Sequence, residues 1–317
     1  MNRLLCYIYN KINRFYTGDI KDSYKNWNLL ENESLYTTLI SDNERLTYSS
    51  LIPQKVIFHC YWHGHFGAKQ AFSIKSYLCT QNLLNTELWL WLDADNGYQQ
   101  LETNKYLKKL KSYVKILSWD FHKEIKNTPF ERIESSFFNK KPLAAKGDDF
   151  RIVALAKYGG LYFDLDVMFL KDFTPLLNGL EFVYAWEYQP YANSALLYLR
   201  KNSFVNKYIA AKYRRRRAGM PWVLFNYSDK KLSSLMNYPC TFFDPLWQGY
   251  IKGMPFKRFE DFFKPFTDYE REIDIISYKD FFPGAFTYHW HNCWSLPEYE
   301  NSYFGIFNDE FDKILFR

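Results

Sequence analysis

Short apolar runs alternate with amphipathic stretches over residues 55–118, and this alternation constrains the fold more than any other feature of the sequence. It predicts strands at Lys55–Tyr61, Glu87–Asp93 and Tyr113–Ser118, and helices at Lys69–Leu84 and near Gln99–Lys111. Strands that alternate with helices at this spacing form βαβ units, in which the strands pair in a mostly parallel sheet. We therefore predict an α/β fold whose site lies beyond the carboxyl ends of the strands.

The pattern continues through the middle of the chain. A helix is predicted at Ala144–Tyr158, a break at Gly159-Gly160 and a strand at Leu161–Asp166. Glycine readily adopts the left-handed conformation that ends a helix, so the break separates these two elements. Later elements are two strands and a helix, at Phe182–Trp186, Ser194–Arg200 and Phe204–Arg217.

The sequence contains neither an internal repeat nor a low-complexity linker, which favours one continuous domain. Residues 1–50 are polar and are expected to form an N-terminal extension, helical or irregular. Residues 51–317 are expected to form a single domain, with a ligand-binding core at 51–200 and a helical, aromatic-rich lobe at 201–317.

Composition narrows the class of protein further. Aromatic residues make up 21% of the chain, which suits a groove that stacks on sugars or bases, with compositional drift in an AT-rich genome as the alternative. The five cysteines form no Cys-x-x-Cys motif, which indicates a reducing compartment rather than a disulfide framework. No apolar run approaches the ~20 residues of a membrane-spanning helix. Met1–Tyr16 has helical periodicity and is interpreted as a helix packed on the protein, or alternatively as an interfacial helix.

The chain contains two Asp-x-Asp triplets with different surroundings. Asp93-Ala94-Asp95 ends a strand before Asn96-Gly97, and we interpret it as a turn in which the aspartates bond their own backbone. Asp164-Leu165-Asp166 lies between two apolar runs, where a buried carboxylate needs a cation or another partner. The alternative interpretation is a pair of buried aspartates that cap loops.

The spacing of the second triplet suits a metal site. On a strand, residues i and i+2 point to the same face, so Asp164 and Asp166 can converge on one ion. Hard divalent cations such as Mg²⁺ or Mn²⁺ prefer oxygen ligands. Such an ion can neutralise the charge that grows on a diphosphate leaving group.

The segment from Ala144 to Asp166 resembles a known signature. Ala144-Ala145-Lys146-Gly147-Asp148-Asp149-Phe150-Arg151, followed by Tyr158-Gly159-Gly160-Leu161-Tyr162-Phe163-Asp164-Leu165-Asp166, is similar to the signature of the DXD-containing glycosyltransferase superfamily. That superfamily includes α-1,6-mannosyltransferases, globotriaosylceramide synthase-like enzymes, bacterial capsule and lipopolysaccharide sugar transferases, and clostridial glucosylating toxins. Weaker matches flank the segment, at residues 52–64 and at Tyr288–Trp294.

The resemblance implies a role for each matching residue. Asp164 resembles the carboxylate that contacts the ribose and reaches the metal through water, and Asp166 resembles the direct metal ligand. Trp62 resembles the aromatic residue that lies against the donor base. The donor-binding residues that the resemblance implies are Trp62, Asp148, Arg151, Gly160, Tyr162 and Asp164.

Three positions are less certain matches. Gly147 stands where the family usually has Ser, and the late segment is one residue shorter than its common form. His289 is preferred to His291 as the additional metal ligand because it starts the matching pattern, and a structural histidine is the alternative for both. Asn193 is the candidate catalytic residue near the anomeric carbon, with Glu187 second, and an ordinary turn residue is the alternative for Asn193.

Lys201–Arg217 contains seven basic residues and no acidic one. A solvated helix face is the preferred interpretation, and contact with an anionic membrane surface or an acceptor phosphate is the alternative. No nucleic-acid-binding motif accompanies this run, so nucleic acid is not an expected partner.

The resemblance implies a GT-A fold and a retaining hexosyltransferase that depends on Mn²⁺ or Mg²⁺. The expected donor is a nucleotide diphosphate sugar, above all a UDP-sugar such as UDP-galactose. The expected acceptor is a glycan or lipid-linked glycan of surface polysaccharide or lipopolysaccharide synthesis, and the expected location is the cytoplasm, with peripheral contact at the inner face of the membrane as an alternative. The other functions considered are a toxin-like effector that glycosylates a protein and a noncatalytic sugar- or nucleotide-binding module.

Overall fold

The computed structural model describes residues 55–134, 137–138, 141–177, 181–186, 189–238, 240–248, 258–266, 277–282 and 284–316. The expected N-terminal extension, with its helix at Met1–Tyr16, lies outside the described residues, as does Glu187.

A seven-stranded sheet, in the order β3-β2-β1-β4-β7-β6-β8, forms the centre of the described part of the chain. Its strands are β1 (Val56–Trp62), β2 (Thr86–Asp93), β3 (Lys115–Trp119), β4 (Gly160–Phe163), β6 (Phe182–Ala185), β7 (Ala192–Leu199) and β8 (Met236–Tyr238). Strands β3, β2, β1 and β4 pair in parallel, and β6 pairs in parallel with β8. Only β7 runs antiparallel to its neighbours, β4 and β6. The predicted α/β fold with a mostly parallel sheet is confirmed.

Helices connect the strands and cover the sheet. They are α1 (Ala68–Thr80), α2 (Lys105–Leu110), α3 (Phe121–Glu124), α4 (Leu143–Tyr158), α5 (Thr174–Leu177), α6 (Phe204–Arg216), α7 (Pro221–Leu224), α8 (Cys240–Phe243) and α9 (Tyr303–Leu315). Short 3₁₀ turns lie at Tyr98–Gln100, Lys230–Leu232, Pro245–Gln248, Phe259–Phe263, Tyr278–Asp280 and Cys293–Ser295. Helix α2 begins later than predicted because the Asn104 side chain accepts the backbone N–H groups of Tyr106 and Leu107 and so caps it there.

The Gly159-Gly160 break joins α4 to β4 at a point where no side chain fits. Both glycines have positive φ, +70° at Gly159 and +104° at Gly160. A Cβ atom at Gly160 would collide with the Ile57 carbonyl oxygen of β1. The break therefore requires glycine both for its backbone conformation and for the close approach of β1.

His59 of β1 holds this break from inside the protein. Its Nδ1 accepts the indole N–H of Trp91 at 3.1 Å, so its Nε2–H donates to the Gly159 carbonyl at 2.9 Å. Burial lowers the pKa of His59 to about 4, against the opposing effect of the Gly159 carbonyl. The imidazole is thus neutral at physiological pH and serves as a structural link between β1 and the end of α4.

The strand predicted at Leu161–Asp166 ends at Phe163, so the argument that placed both aspartates on one strand is wrong. Asp164, Leu165 and Asp166 instead form a tight turn, closed by a hydrogen bond from Val167 N to the Asp164 carbonyl at 3.2 Å. The chain resumes as β5 (Val167–Phe169), which pairs antiparallel with β9 (Thr287–His289) in a separate two-stranded sheet. The turn arises because the chain leaves the large sheet at Phe163 and joins the small one at Val167.

The C-terminal part of the chain is helical and aromatic as predicted, and it also supplies strands to both sheets. Residues 201–317 contain α6 and α9, but they add β8 to the large sheet and β9 to the small one. An aromatic cluster packs this part against α1 and includes Phe72, Phe262, Trp290 and Phe304. Much of the aromatic excess is therefore buried. Among the described residues, no helix combines the length and apolarity needed to cross a membrane.

Candidate active site

The charged residues Asp148, Arg151, Asp164 and Asp166 of the sequence motif converge in one cavity of about 580 Å³ at the carboxyl edge of the large sheet. Strands β1 and β4 end there, and β7 begins there because it runs antiparallel to β4. The cavity is lined by side chains from each of these strands and from the small sheet. They are Tyr61, Trp62, His63, Ala144, Gly147, Asp148, Arg151, Tyr162, Asp164, Leu165, Asp166, Trp186, Asn193, Pro221, Trp222, His289, His291, Asn292 and Trp294.

Arg151 is the central charge on the α4 side of the cavity. Its Nη2 lies 3.2 Å from Asp148 Oδ1 and 3.1 Å from Asp164 Oδ1, and its Nη1 donates to Ser194 Oγ at 2.6 Å. The guanidinium also lies 4.6 Å from the centre of the Tyr162 ring. Burial would lower the pKa of Arg151, but Asp164 and its neighbours outweigh that effect and raise it. The cation is thus held permanently between two carboxylates.

Asp164 faces this cation and a phenol. The Tyr162 hydroxyl donates to Asp164 Oδ1, two residues along the chain. Burial raises the pKa of Asp164, and Arg151 opposes that rise. Burial also raises the pKa of Tyr162, which keeps the phenol protonated as a donor. Asp164 therefore already has two protein partners, and 27% of its side chain stays exposed to the cavity.

Asp166 has partners from the opposite side of the cavity. The backbone N–H of Asn292 donates to its Oδ2 at 2.9 Å, and His289 Nε2 lies 3.2 Å from its Oδ1. Burial would raise the pKa of Asp166, but the nearby His289 outweighs it and lowers the pKa to about 2. Burial likewise opposes the imidazolium, yet Asp166 and Asp244 raise the pKa of His289 to about 10. The carboxylate is therefore ionised across the physiological range.

Asp244 joins the two histidines of the late segment, and the sequence did not single it out. This fully buried carboxylate lies 2.6 Å from His291 Nε2 and 3.6 Å from His289 Nδ1, measured from its Oδ2. The two imidazole rings stack with centroids 3.8 Å apart, and the Tyr184 hydroxyl lies 3.3 Å from His289 Nδ1. A carboxylate that approaches the far nitrogen of a histidine fixes the ring so that its other nitrogen can face a metal.

Two overlapping groups of side chains could hold a cation. Ligand atoms of Asp164, Asp166 and His289 all lie within 4.8 Å of one another, and so do those of Asp244, His289 and His291. The first group offers two carboxylates and one imidazole beside a cavity, a donor set that fits Mn²⁺ or Mg²⁺ with sites left for phosphate and water. The geometry favours His289 over His291 in this group, because His291 Nε2 faces Asp244.

The remaining predicted residues lie where their strands place them. Trp62 ends β1, its ring centroid is 4.8 Å from that of Trp294, and its indole N–H donates to the His65 carbonyl. Gly160 begins β4 and supports the turn rather than lining the cavity. Asn193 is 5% exposed near the start of β7, and its Oδ1 accepts the Ala195 N–H at 2.8 Å.

The rival triplet at Asp93 forms a turn, as predicted. Asp93 Oδ1 accepts the backbone N–H groups of Asp95 and Asn96 at 3.1 and 3.2 Å, and the Tyr61 hydroxyl donates to its Oδ2. The Asp93 carboxylate therefore caps the end of β2, and Asp93 does not line the cavity.

The sequence assigned no role to several residues of the site, among them Asp244, Ser194, Trp186 and Trp222. Asp244 follows the buried Phe242-Phe243 pair, and a carboxylate next to a buried aromatic run was a usable signal. Ser194 accepts a hydrogen bond from Arg151, and Trp186 and Trp222 line the cavity. Trp186 and Ser194 flank the candidate Asn193 in the sequence, which gave neither of them a role of its own.

Residues 83–183 match the family model described as "Glycosyltransferase sugar-binding region containing DXD motif". The matched stretch contains Asp148, Arg151 and the Asp164-Leu165-Asp166 triplet, and it confirms the predicted resemblance. No curated protein matches the chain.

Similar solved structures include "PaToxG Glycosyltransferase", with 14% identity and a TM-score of 0.43 over 73% of this chain and 79% of that one. A structure of an active-site mutant of LgtC has 14% identity and a TM-score of 0.40, over 82% of this chain and 96% of that one. The bifunctional enzyme WbbM in its apo form has 10% identity and a TM-score of 0.40, over 61% of this chain and 40% of that one. This chain therefore spans less than half the length of WbbM.

Proposed function

We propose that this protein is a GT-A glycosyltransferase that transfers a hexose from a nucleotide diphosphate sugar to a glycan, with retention of anomeric configuration and with Mn²⁺ or Mg²⁺. One observation carries the proposal. Asp164, Asp166 and His289 bring their ligand atoms within 4.8 Å of one another at the wall of the cavity, beyond the carboxyl end of β4. A family model of DXD-containing glycosyltransferases matches residues 83–183, which include Asp164 and Asp166. A UDP-sugar is the proposed donor.

In this proposal Asp166 and His289 bind the metal directly, and Asp164 reaches it through water while it contacts the ribose. When bound, the ion supplies positive charge to the diphosphate of the donor. The division between the carboxylates comes from the family resemblance. In the structure Arg151 and Tyr162 contact Asp164, whereas His289 and the Asn292 N–H contact Asp166. Asp148 and Arg151 bind hydroxyl groups of the donor sugar, and Trp62 lies against the base.

Retention is proposed without a covalent intermediate. The carboxylates of the described residues that line the cavity are Asp148, Asp164 and Asp166, and each already faces Arg151 or His289. None is a free nucleophile. The acceptor hydroxyl would attack the anomeric carbon on the face that the diphosphate leaves, and its proton would pass to the departing phosphate oxygen. Asn193 is the proposed polar contact near that carbon, because it lines the cavity from β7.

The acceptor is proposed to be a glycan of surface polysaccharide or lipopolysaccharide synthesis. For the basic run, α6 exposes Lys207 and Arg214–Arg216, whereas Lys212 pairs with Asp229 at 2.7 Å. A solvated face and an anionic membrane contact both stay predictions for this helix.

The proposal is tested by incubating the protein with UDP-glucose, UDP-galactose, UDP-N-acetylglucosamine and GDP-mannose, each with Mn²⁺ and with EDTA. We expect release or transfer of sugar from at least one donor in Mn²⁺ and none in EDTA, and NMR of the product should show the anomeric configuration of the donor. Calorimetric titration with UDP and GDP in Mn²⁺ accompanies the assay. Failure to bind either nucleotide contradicts the proposal, binding without turnover identifies a noncatalytic module, and sugar found on a protein acceptor identifies an effector.

A further inference from the structure

The cavity has an aromatic group at each end, and the proposed function uses only the group that contains Trp62. Trp62 and Trp294 stand at one end, in contact with each other. Trp186, Tyr191 and Trp222 stand at the other: the Tyr191 ring centroid lies 5.7 Å from that of Trp186 and 6.2 Å from that of Trp222. Trp186 and Trp222 line the same cavity as Asp164 and Asp166.

The sheet order places the two aromatic groups on opposite sides of the carboxylates. Along the edge, β1 ends at Trp62, β4 ends before Asp164, β7 begins before Asn193, and β6 ends before Trp186. Three strand spacings, about 14 Å, therefore separate the ends of β1 and β6. One planar ring cannot contact both groups at this distance, so they serve two different parts of the bound ligands.

The parallel strands β3, β2, β1 and β4 form the Rossmann-like half of the sheet, and nucleotides bind beyond the carboxyl ends of such strands. This assigns the base to the Trp62 end. The β6 end is on the far side of the reacting diphosphate, where the second substrate has to enter.

Backbone hydrogen bonds join the segment that carries Tyr191 to the segment that follows α7. Tyr191 forms an isolated β-bridge with Asn226, and the N–H groups of Ala192 and Tyr227 donate to the carbonyls of Phe225 and Pro190 at 3.1 and 3.0 Å. Helix α7 starts at Pro221, whose fixed φ suits the first turn of a helix. The Trp222 side chain is nevertheless 51% exposed.

A large exposed indole that is held in place beside a reaction cavity is suited to stack on a flat, weakly polar face. The C–H face of a pyranose has this character, and the nearby Asn193 offers its amide N–H₂ group because its Oδ1 already accepts Ala195 N–H. We infer that Trp222, supported by Tyr191 and Trp186, binds a pyranose ring of the acceptor. This inference rests on the proposed function and names the acceptor-side sugar subsite of the same cavity.

The test uses saturation-transfer difference NMR with methyl α- and β-glucosides and galactosides as probes, in the presence of UDP and Mn²⁺. We expect at least one methyl hexoside to bind the wild-type protein, and Trp222→Ala to weaken that binding about fivefold or more. Trp222→Phe, which keeps a ring, should retain most of the binding. Phe204→Ala is the matched control, because Phe204 is an aromatic residue with 58% exposure outside the cavity lining.

Calorimetric titration of the same variants with UDP and Mn²⁺ distinguishes a failure of this inference from a failure of the proposed function. The inference predicts equal UDP affinity in the wild-type protein and in Trp222→Ala. It is overturned if no methyl hexoside binds, if Trp222→Ala binds the sugar as the wild type does, or if Trp222→Ala loses affinity for UDP instead. Absence of UDP binding to the wild-type protein would reject the proposed function itself.

Discussion

The two sides of the candidate metal site are built in different ways. Asp164 and the α4 residues that support it come from one continuous stretch, residues 144–166, fixed by the large sheet and by the Gly159-Gly160 break. His289 and Asp244 come from far later in the chain and are held by the small sheet and by contacts between side chains. The first side is therefore positioned by backbone geometry, and the second depends on a few polar pairs in an aromatic surrounding.

The two sides of the site therefore differ in the kind of change that displaces a ligand. A change on the first side has to break a strand pairing or a buried ion pair to move a ligand. On the second side, loss of one carboxylate leaves the imidazole rings without their fixed orientation.

The largest effect is expected for Asp166→Asn, which connects both sides. Loss of the charge removes the direct metal ligand and the partner of His289, while the amide oxygen can still accept the Asn292 N–H. We expect turnover with the best donor to fall about 10³-fold or more. The melting temperature should change by no more than about 5 °C, because the backbone contacts persist.

Asp93→Asn is the matched control for this variant, since Asp93 belongs to the other triplet, caps β2 and lies outside the cavity lining. The amide oxygen can still accept the Tyr61 hydroxyl. The turnover of Asp93→Asn should stay within about twofold of wild type, because the substitution alters the turn at the end of β2 and not the reacting groups. Equal losses of turnover in both variants would show that the two triplets are not distinct in function.

The scaffold side carries a pH dependence through His59. Its folded pKa of about 4 lies below the unfolded value of 6.5, so the unfolded chain binds more protons between these values. Stability from this group is complete above pH 6.5 and falls as the pH decreases toward 4, by about 3 kcal/mol in total. Urea unfolding at pH values from 4.5 to 7 should show this decrease in the wild-type protein. A His59→Gln variant that decreases as steeply would contradict the assignment.

The second side is tested by Asp244→Asn. The amide keeps the volume but weakens the hold on His289 and His291, and second-layer partners of metal ligands are worth about 10- to 100-fold in metal affinity. We expect that loss in Mn²⁺ titrations followed by electron paramagnetic resonance. Asp229→Asn is the control, because it removes a carboxylate that pairs with Lys212 away from the cavity. If Asp244→Asn binds Mn²⁺ with wild-type affinity, the Asp244 carboxylate does not position His289 for the metal.

The smallest effect concerns the position where the family usually has Ser. A Cβ atom at Gly147 would meet only the Tyr162 hydroxyl, at 3.9 Å, which is ordinary contact. Gly147→Ala should therefore stabilise α4 by about 0.5–1 kcal/mol, measured by denaturant unfolding. Gly160→Ala should do the reverse, because its Cβ would collide with Ile57. Destabilisation by Gly147→Ala would show that a Cβ atom at this position does not fit beside the Tyr162 hydroxyl.

The sequence was sufficient for the scaffold side because its information is local. Strand and helix periodicity, the glycine break and the spacing of Asp148, Arg151 and Asp164 all lie within one short stretch. Even there, the turn at Asp164–Asp166 was predicted as strand, because its apolar neighbours continue the strand pattern into β5. Apolar periodicity alone does not show where a chain passes from one sheet to another.

The other side could not be derived in the same way. Asp244 meets His291 through a fold that brings residues 47 positions apart to 2.6 Å, and no local pattern encodes that distance. His289 was found through the family resemblance, and its preference over His291 rested on the order of residues in a motif. Trp222 could be identified as a candidate site residue only from the structure, in which it is exposed and lines the cavity.

The pairing of β5 with β9 has a consequence for how such a protein can vary. Val167 lies opposite His289, so the ladder sets the residue after Asp166 against the late histidine, and Trp290 N donates to the Asp166 carbonyl at 3.0 Å. The register of three residue pairs thus sets Asp166 and His289 relative to each other. A one-residue slip in the ladder would turn His289 away from Asp166. The long connection between the two strands supplies Tyr184 and Asp244, which contact His289. The candidate metal site therefore constrains the ladder and these two contacts together, so a segment exchanged into the connection has to preserve both.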